Sequence, residues 1–291
     1  MNSLQNIKSK ILEYFELIKF EHTIFALPFA LSGMLLASPD KFPAIGTFVW
    51  VLLAMVGGRT AAMSLNRLID SEIDKKNPRT SNRAIPAGRI SKISAFILVI
   101  FSFAVMIFAV WHLPLICKQL LPLAMLILVI YSFTKRFTYL SHFVLGGALG
   151  AAASGGWLAV SGKFSFPVVL WGIAVVFWVA GFDIIYAIQD IDFDRENNLF
   201  SIPAWIGVKK SLLASKIFHL ITIILLILLG LVYTVGMFYW IGVVFVACML
   251  FWEHSLLKEN DLSKLDAAFF NINGYVSIGI FIFILLDKVL G

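Results

Sequence analysis

The chain has 291 residues, of which 60% are hydrophobic and only 14% are charged. Soluble domains carry charge at about a quarter of their positions, so this composition excludes an ordinary soluble protein and indicates a polytopic membrane protein. The net charge of +6 favours contact with anionic lipid headgroups. It gives no reason to expect a nucleic-acid partner, and nothing in the pattern requires an obligate protein partner.

Apolar segments close to the about 20 residues that span a bilayer recur along the chain. Residues 1–20 precede them and place apolar side chains on one helical face, which predicts an amphipathic helix at the membrane interface. The whole pattern predicts an all-α, polytopic integral membrane protein that forms a single domain over residues 1–291. The nine predicted transmembrane helices are 22–38, 44–68, 93–113, 115–133, 143–161, 166–189, 212–235, 237–256 and 267–286.

Lysine and arginine are distributed unevenly between the two sides of these spans, with 18 on one side and four on the other. Because basic residues concentrate on the cytoplasmic side, we predict a plasma (inner) membrane protein with a cytoplasmic N-terminus and an outer C-terminus. Arg59 is the one basic residue that we assign to the membrane interior, with Arg67 assigned to the loop at the end of the second span and the other lysines and arginines to the two sides. Arg59 must therefore face the protein interior or a polar cavity. We expect Arg59 either to pair with Asp183 or to bind an acidic substrate.

The second span ends in polar residues that recur every four positions. Asn66, Asp70 and Asp74 share one helical face at this spacing, whereas Glu72 points elsewhere. Polar side chains near membrane depth are costly and usually functional. Since carboxylate oxygens are the preferred ligands of hard divalent cations, this face predicts a metal site.

The sixth span ends in a second acidic cluster. Asp190 and Asp194 repeat the four-residue spacing, and Asp183 lies two turns earlier on the same stripe. Asp192 and Glu196 lie off that stripe and are expected to be solvated. Both clusters stand on the predicted cytoplasmic side, so the active site is predicted to be cytoplasmic.

Polar, basic stretches follow both clusters, at 70–92 and 190–211, and are predicted to form cytoplasmic loops that cap a site. This weak repeat suggests two related halves that meet around one central cavity. A carboxylate–metal site that binds a diphosphate also needs cations for the phosphate oxygens. The positive-inside rule alone would explain the basic residues present, but they are also candidates for this role: Arg79, Arg83, Lys135, Arg136 and Lys209.

Four sequence elements together resemble the UbiA-type intramembrane aromatic prenyltransferases, and the resemblance covers nearly the whole chain. The elements are Asn66-x3-Asp70-x3-Asp74, Asn77-Pro78-Arg79-Thr80-x2-Arg83-x2-Pro86-x-Gly88, Lys135-Arg136-Phe137-Thr138 and Asp183-x2-Tyr186-Ala187-x2-Asp190-x3-Asp194. Many members have Asn-Asp where this chain has Asn66-Arg67. The form found here looks like a branch usually described as 4-hydroxybenzoate polyprenyltransferases, of which some are thought to act in the futalosine route to menaquinone.

The resemblance implies transfer of a polyprenyl group from polyprenyl diphosphate to the 3-position of 4-hydroxybenzoate, assisted by two Mg²⁺ ions. Asp70 and Asp74, with Asn66, would hold one ion, and Asp190 and Asp194 would hold the other. The further substrate-binding residues that it implies are Arg79, Arg83 and Lys209 as lid cations, Lys135, Arg136 or Arg59 for an acceptor carboxylate, and Asp183 and Tyr186.

Several alternatives stay open at this point. The acceptor could be a dihydroxynaphthoate of the menaquinone route. A carboxylate-based transporter would usually carry its acidic residues in mid-span, whereas these lie at span ends. CDP-alcohol phosphotransferases also cluster aspartates, but their Asp-x2-Asp-Gly-x2-Ala-Arg pattern is absent. Haem-prenylating relatives share the expected fold, and residue spacing does not separate them.

Overall fold

A computed structural model of the chain describes residues 3–19, 21 and 23–291, with side chains described from residue 10 onward at those positions. The described residues are nearly all helical. The helices are α1 Ser3–Leu17, α2 Thr23–Ala37, α3 Ile45–Ile69, α4 Ser71–Lys76, α5 Lys92–Trp111, α6 Leu115–Thr134, α7 Ser141–Ser161, α8 Phe166–Ala187, α9 Ile191–Glu196, α10 Ile202–Val232, α11 Met237–Ser255 and α12 Asn273–Leu290. A 3₁₀ turn (Ile188–Asp190) joins α8 to α9, and a π-helical turn (Ala267–Ile272) precedes α12.

Eight helical segments in the described part of the chain are long and apolar enough to cross a membrane. The predicted all-α membrane architecture is therefore confirmed. The first predicted span, 22–38, corresponds to α2, an apolar helix of 15 residues, and residue 22 lies outside the described residues. The count of nine spans stays a prediction, because α2 is shorter than a typical transmembrane helix.

The predicted amphipathic segment 1–20 contains α1, although residues 1, 2 and 20 lie outside the described part. Within α1, Ile11, Leu12 and Phe15 are exposed while Leu17 is buried. An apolar exposed face beside a buried anchor suits a helix that lies in the membrane interface. That location stays a prediction.

Helix α8 lies at the centre of the packing. Its side chains Trp171, Trp178, Ile184 and Ile185 are fully buried, and it packs against α7 on one side and α10 on the other. Helices α2, α7, α8, α10, α11 and α12 contact one another in that order and close a ring, because α12 returns to α2. Helices α3, α5 and α6 pack together beside α7.

Small residues allow α7 to approach its neighbours closely. A methyl group at Gly146 would overlap the backbone of Val176 in α8, and one at Gly156 would overlap the backbone of Ala30 in α2. Only glycine leaves room for backbones at this separation. The glycine-rich segment 146–156 therefore serves helix packing.

Both acidic clusters lie where a long helix breaks. Helix α3 ends at Ile69, and α4 restarts one residue later at Ser71, with Asp70 at the junction. The i to i−4 backbone bonds nevertheless continue through the break, from the Asp70 N–H to the Asn66 carbonyl (2.9 Å) and from the Asp74 N–H to the Asp70 carbonyl (2.7 Å). The four-residue spacing therefore still places these side chains on one face.

The two predicted cap loops differ in structure. The stretch 70–92 contains α4 and then a series of turns, as its proline, glycine and asparagine content indicates. The stretch 190–211 is mostly helical, which corrects the predicted loop: it consists of α9, a short link and the first turns of α10. A kink at Gly207, where φ is 77°, separates those first turns from the rest of α10.

Candidate active site

A cavity of about 280 Å³ lies where the two acidic clusters face each other. Its walls come from α2, α3, α4, α6, α7 and α8, together with the π-helical turn, the segment after α4 and the residues around α9. Most of the residues predicted to form a site are brought together in this one wall. They are Arg59, Asn66, Asp70, Asp74, Arg79, Arg83, Lys135, Asp183, Tyr186, Asp190 and Asp194.

Asp70 is almost fully buried and is surrounded by basic side chains. Its Oδ2 atom lies 2.6 Å from the Lys135 Nζ atom, and its Oδ1 atom lies 3.0 Å from Arg136 Nη2. The Asn66 side-chain amide also donates to Asp70, at 3.1 Å. Two cations therefore neutralise one buried carboxylate, which leaves a positive excess at this end of the cavity.

Arg136 is committed to contacts beside Asp70. Its Nη1 atom donates to the Ser132 carbonyl (2.9 Å) and its Nη2 atom donates to the Ile69 carbonyl (3.0 Å). It does not belong to the cavity wall formed by the described residues. This placement fits the anchoring of the α3–α4 break better than contact with an acceptor.

Asp74 is paired with a single arginine. The Arg83 Nη1 atom donates to both carboxylate oxygens of Asp74, at 2.7 and 2.8 Å. The Thr80 hydroxyl donates to the Asp74 carbonyl at 3.0 Å, which holds the following turn against α4. The turn-rich segment after α4 therefore folds back to place Arg83 over the first cluster.

Asp190 joins the second cluster to the segment that follows the first. It accepts hydrogen bonds from the Asn77 amide (3.1 Å) and from Arg79 Nε (3.0 Å) and Nη2. The Arg79 Nη1 atom also donates to the Tyr186 hydroxyl at 2.8 Å. Partial burial lowers the pKa of Arg79, but the hydrogen bonds with Asp190 and Tyr186 outweigh it, so this pKa lies above its usual value.

Asp194 is the least neutralised of the four predicted metal ligands, which are Asp70, Asp74, Asp190 and Asp194. Its Oδ2 atom accepts a hydrogen bond from the Ser201 hydroxyl at 2.7 Å, and Ser201 also caps the start of α10. Among the described residues, no lysine, arginine or histidine forms an ion pair with Asp194, in contrast to the other three. This carboxylate is therefore available to an added cation.

Asp183 and Arg59 do not pair with each other, which corrects one of the two expectations for Arg59. The Asp183 carboxylate accepts from His142 Nδ1 at 2.7 Å, and His142 Nε2 accepts from the Ile202 N–H at 3.3 Å. Arg59 instead donates from Nη2 to the Lys19 carbonyl at 2.8 Å. Its Nε atom is buried with no hydrogen-bond partner among the described residues.

Other charged residues lie away from the cavity. Glu72 is exposed and pairs with Lys92 at 2.6 Å, and Asp192 and Glu196 are exposed near the second cluster, as their off-stripe positions predict. Lys209, predicted to be a lid cation, is exposed on α10 and does not line the cavity.

The cavity wall also contains residues that the sequence analysis did not select. Arg67 is only 7% exposed and lines the cavity next to Asn66. Tyr131 of α6 and His142 of α7 are further members of the wall. The argument used for Arg59, that a basic residue inside a span must face a polar interior, applies equally to Arg67, which stands within the predicted second span.

The donor groups of the site suit a hard divalent cation. Four carboxylates and two side-chain amides, those of Asn66 and Asn77, offer oxygen ligands of the kind that Mg²⁺ prefers. The lysine and arginine side chains that pair with Asp70, Asp74 and Asp190 are of the types that commonly bind phosphate groups. A divalent cation on the carboxylates would free these basic groups to bind an anion.

Comparison with known proteins agrees with this chemistry. The profile of the UbiA prenyltransferase family matches residues 26–275. The 4-hydroxybenzoate octaprenyltransferase of Actinobacillus pleuropneumoniae serotype 3 is 29% identical over 293 residues, covering 96% of this chain and 95% of the relative. The enzyme of the same name from Vesicomyosocius okutanii is 28% identical over 261 residues, covering 88% and 92%.

Solved structures show the same fold. The apo structure of a UbiA homolog from Aeropyrum pernix K1 superposes with a TM-score of 0.84 at 35% identity, covering 92% of this chain and 98% of that one. A UbiA homolog from Archaeoglobus fulgidus bound to GPP and Mg²⁺ superposes with a TM-score of 0.74 at 19% identity, covering 94% and 99%. Since the family profile spans most of the sequence, the chain belongs to the UbiA prenyltransferase family and is an integral membrane enzyme of prenyl transfer.

Proposed function

We propose that this enzyme transfers a polyprenyl group from polyprenyl diphosphate to the 3-position of 4-hydroxybenzoate in an Mg²⁺-dependent reaction. The observation that carries the proposal is one cavity lined by five aspartates, among them the four predicted metal ligands, and by basic side chains that pair with three of those four. The names of the relatives at 28–29% identity support the aromatic acceptor. The GPP and Mg²⁺ bound by the Archaeoglobus homolog support the diphosphate donor and the metal.

The diphosphate binds between the two acidic clusters in this proposal. Asp70 and Asp74 would hold one Mg²⁺ with Asn66, and Asp190 and Asp194 would hold a second. Bound Mg²⁺ would stabilise the negative charge that develops on the departing diphosphate. Asp194, which has no ion pair with a described residue, is the carboxylate that loses least when it takes up a metal.

The basic residues act as a second set of diphosphate contacts. Arg79, Arg83 and Lys135 each pair with a cavity aspartate, and their other N–H groups can turn to phosphate oxygens once the aspartates bind metal. Arginine suits this exchange because its planar fork binds carboxylate and phosphate with similar geometry. The same residues would thus hold the site together before the substrate binds and hold the substrate afterwards.

The apolar wall of the cavity protects the reacting carbon. Phe25, Leu145, Leu149, Val179 and Phe182 line the cavity alongside the polar groups. As the C–O bond to the diphosphate breaks, the prenyl carbon becomes electron-poor, and a ring carbon ortho to the acceptor phenol attacks it. Loss of the ring proton restores aromaticity. An apolar wall keeps water from capturing the allylic cation before the ring does.

The acceptor carboxylate requires a cation that the aspartates do not consume. Arg59 lines the cavity, and its buried Nε atom lacks a hydrogen-bond partner within the described part of the chain. Arg136 is held by Asp70 and two backbone carbonyls. We therefore assign the acceptor carboxylate to Arg59 in preference to Arg136.

A dihydroxynaphthoate remains the second candidate acceptor, favoured by the Asn66-Arg67 form of the first motif. Arg67 is buried in the cavity wall, so the departure from Asn-Asp places an additional cation within reach of an acidic ring. Both acceptors carry a carboxylate and a phenol, so the same reaction is chemically possible on either.

The decisive experiment incubates purified enzyme in lipid vesicles with Mg²⁺, a labelled polyprenyl diphosphate and the two aromatic acids in competition. Prenylated 4-hydroxybenzoate as the main product supports the proposal. Exclusive prenylation of the naphthoate would show that the naphthoate, and not 4-hydroxybenzoate, is the acceptor. Passage of substrate across the vesicle without any product would contradict enzymatic transfer altogether, and undiminished turnover in EDTA would contradict the metal site.

A further inference from the structure

A group of side chains of the types that bind metals lies in α10 and α11, away from the cavity described above. The Nδ1 atom of His219 lies 3.0 Å from His254 Nε2 and 3.2 Å from Glu253 Oε2. In the described part of the chain, this is the one trio of acidic, histidine or cysteine groups whose ligand atoms all lie within 4.8 Å of one another. His219 and Glu253 are buried, and His254 is partly buried.

We propose that His219, Glu253 and His254 form a binding site for Zn²⁺ or a similar borderline divalent cation, which would link α10 to α11. Two imidazole nitrogens and one carboxylate oxygen are a donor set that suits zinc. Mg²⁺ prefers oxygen ligands and octahedral geometry, so this site would discriminate against the metal expected at the aspartates.

Two of the three separations between these ligand atoms are close to those around a zinc ion, and the third, between Glu253 and His254, is within 4.8 Å. Ligands of a tetrahedral zinc ion at 2.0–2.1 Å lie about 3.3 Å from one another. The His219–His254 and His219–Glu253 separations of 3.0 and 3.2 Å need to widen only by a few tenths of an ångström. His254, which is partly exposed at the end of α11, can move to provide that space.

The His219 ring is oriented with a lone pair toward the other two ligands. Its Nε2 atom lies 3.2 Å from the Trp178 carbonyl, which can only accept, so Nε2 carries the proton. In the neutral ring, Nδ1 is then an acceptor that faces His254 and Glu253. A ring N–H that donates to a backbone carbonyl is the outer contact that fixes metal-binding histidines.

Glu253 shows that the site lacks a positive partner. The residue is fully buried, and its Oε2 atom has no hydrogen bond with any described group. Its other oxygen accepts from the Asn273 amide at 2.6 Å, and Asn273 in turn accepts from Trp178 Nε1 at 2.8 Å. A buried carboxyl group is either protonated or compensated by a positive charge, and a cation at Oε2 would allow Glu253 to stay ionised.

The site would also stabilise one wall of the active-site cavity. The Asn273 amide donates to the carbonyls of Ala268 and Phe269 in the π-helical turn. The Phe269 ring stacks on Tyr186 at 4.2 Å, and Tyr186 accepts from Arg79. A metal that fixes Glu253 would therefore fix, through Asn273, the turn that supports Tyr186.

The test measures zinc binding by the full-length protein in detergent, after removal of metal with a chelator and in the presence of excess Mg²⁺. Zinc content by mass spectrometry should reach one ion per chain, and Co²⁺ should give the strong visible absorption of tetrahedral coordination. Glu253→Gln keeps the acceptor for Asn273 and removes the charged ligand. It should weaken zinc binding by more than the 10- to 100-fold that loss of an outer contact costs.

Two controls locate the ion. His112→Ala removes an exposed histidine just after the end of α5. Asp190→Asn removes an active-site carboxylate, and both variants should retain zinc. His254→Gln alters a partly exposed side chain and should lose zinc without loss of folding, which matters if Glu253→Gln expresses poorly. Equal zinc content in wild type and His254→Gln, an ion lost only from Asp190→Asn, or no zinc in the wild type at equimolar supply would each overturn the proposal.

Discussion

The contrast between Asp190 and Asp192 is the sharpest test of the proposed active site. The two residues are only two positions apart in the sequence, yet Asp190 lines the cavity and Asp192 is exposed outside it. Replacement of each by asparagine keeps the size of the side chain and removes one negative charge. We predict that Asp190→Asn loses most of its activity and that Asp192→Asn keeps it.

The structure separates the cost in stability from the cost in catalysis. Asp190 accepts from Arg79 and Asn77, and the side chains of Asp190 and Arg79 are 18% and 32% exposed. A charge-assisted bond is worth about 1.5–3 kcal/mol, but solvent screening and the remaining acceptor oxygen reduce the loss in unfolding free energy to about 1 kcal/mol. Loss of a metal ligand at the leaving group should slow transfer by about 10²–10⁴, or about 3–5 kcal/mol of barrier.

The assay measures prenyl transfer against Mg²⁺ concentration, with the unfolding temperature of each variant recorded in the same detergent. Asp190→Asn should show a much lower rate and a weaker response to Mg²⁺ at nearly unchanged unfolding temperature. Equal losses in Asp190→Asn and Asp192→Asn would refute the argument that only the cavity-facing carboxylates bind metal. A rate that falls no more than the stability would refute the role of Asp190 in the reaction.

Three further predictions concern other parts of the structure. Arg59→Gln should raise KM for the aromatic acid roughly 10- to 150-fold, as expected for loss of a charge-assisted bond of ~1.5–3 kcal/mol, and should raise KM for the diphosphate less. The reverse pattern in steady-state kinetics would indicate that Arg59 binds the diphosphate. Gly156→Ala should lower the free energy of unfolding by about 1–3 kcal/mol, because the added methyl group overlaps Ala30. Gly155→Ala places its methyl group where nothing lies within 4 Å and should leave the unfolding temperature unchanged, so equal shifts in the two variants would contradict the described packing. A reporter that is active only in the cytoplasm should be silent when it is fused after Gly291, and a positive signal would contradict nine spans.

Much of the fold could be predicted from hydropathy alone. The predicted spans 93–113 and 143–161 match α5 (Lys92–Trp111) and α7 (Ser141–Ser161) within a few residues. Long apolar runs have few alternatives to a membrane helix, which explains this agreement. The structure of the stretch 190–211 is harder to predict, because its polar composition indicates a loop. In the structure, the Ser201 cap and a kink at Gly207 allow most of this stretch to be helical.

Pairing between distant residues could be predicted only in part. The four-residue spacing correctly brought Asn66, Asp70 and Asp74 to one face, since that relation is local. The hydrogen-bond partner of Arg59 lies far away in the sequence. Arg59 donates to the Lys19 carbonyl and does not pair with Asp183, because of where α1 ends relative to α3. Spacing along one helix carries no information about such a contact.

The His219, Glu253 and His254 group marks the same limit more clearly. The first histidine lies on α10 and the other two residues on α11, so no ligand spacing links them in the sequence. What the sequence does contain is an acidic residue near the end of an apolar helix, and an acid that is buried there must be protonated or paired. The need to neutralise residue 253 could therefore be inferred from the sequence, whereas the identity of any partner depends on how α10 and α11 pack. The same reasoning applies to the predicted metal-binding aspartates. The sequence contains basic residues nearby, but the fold decides that Asp70 receives two of them, Asp74 and Asp190 one each, and Asp194 none among the described residues.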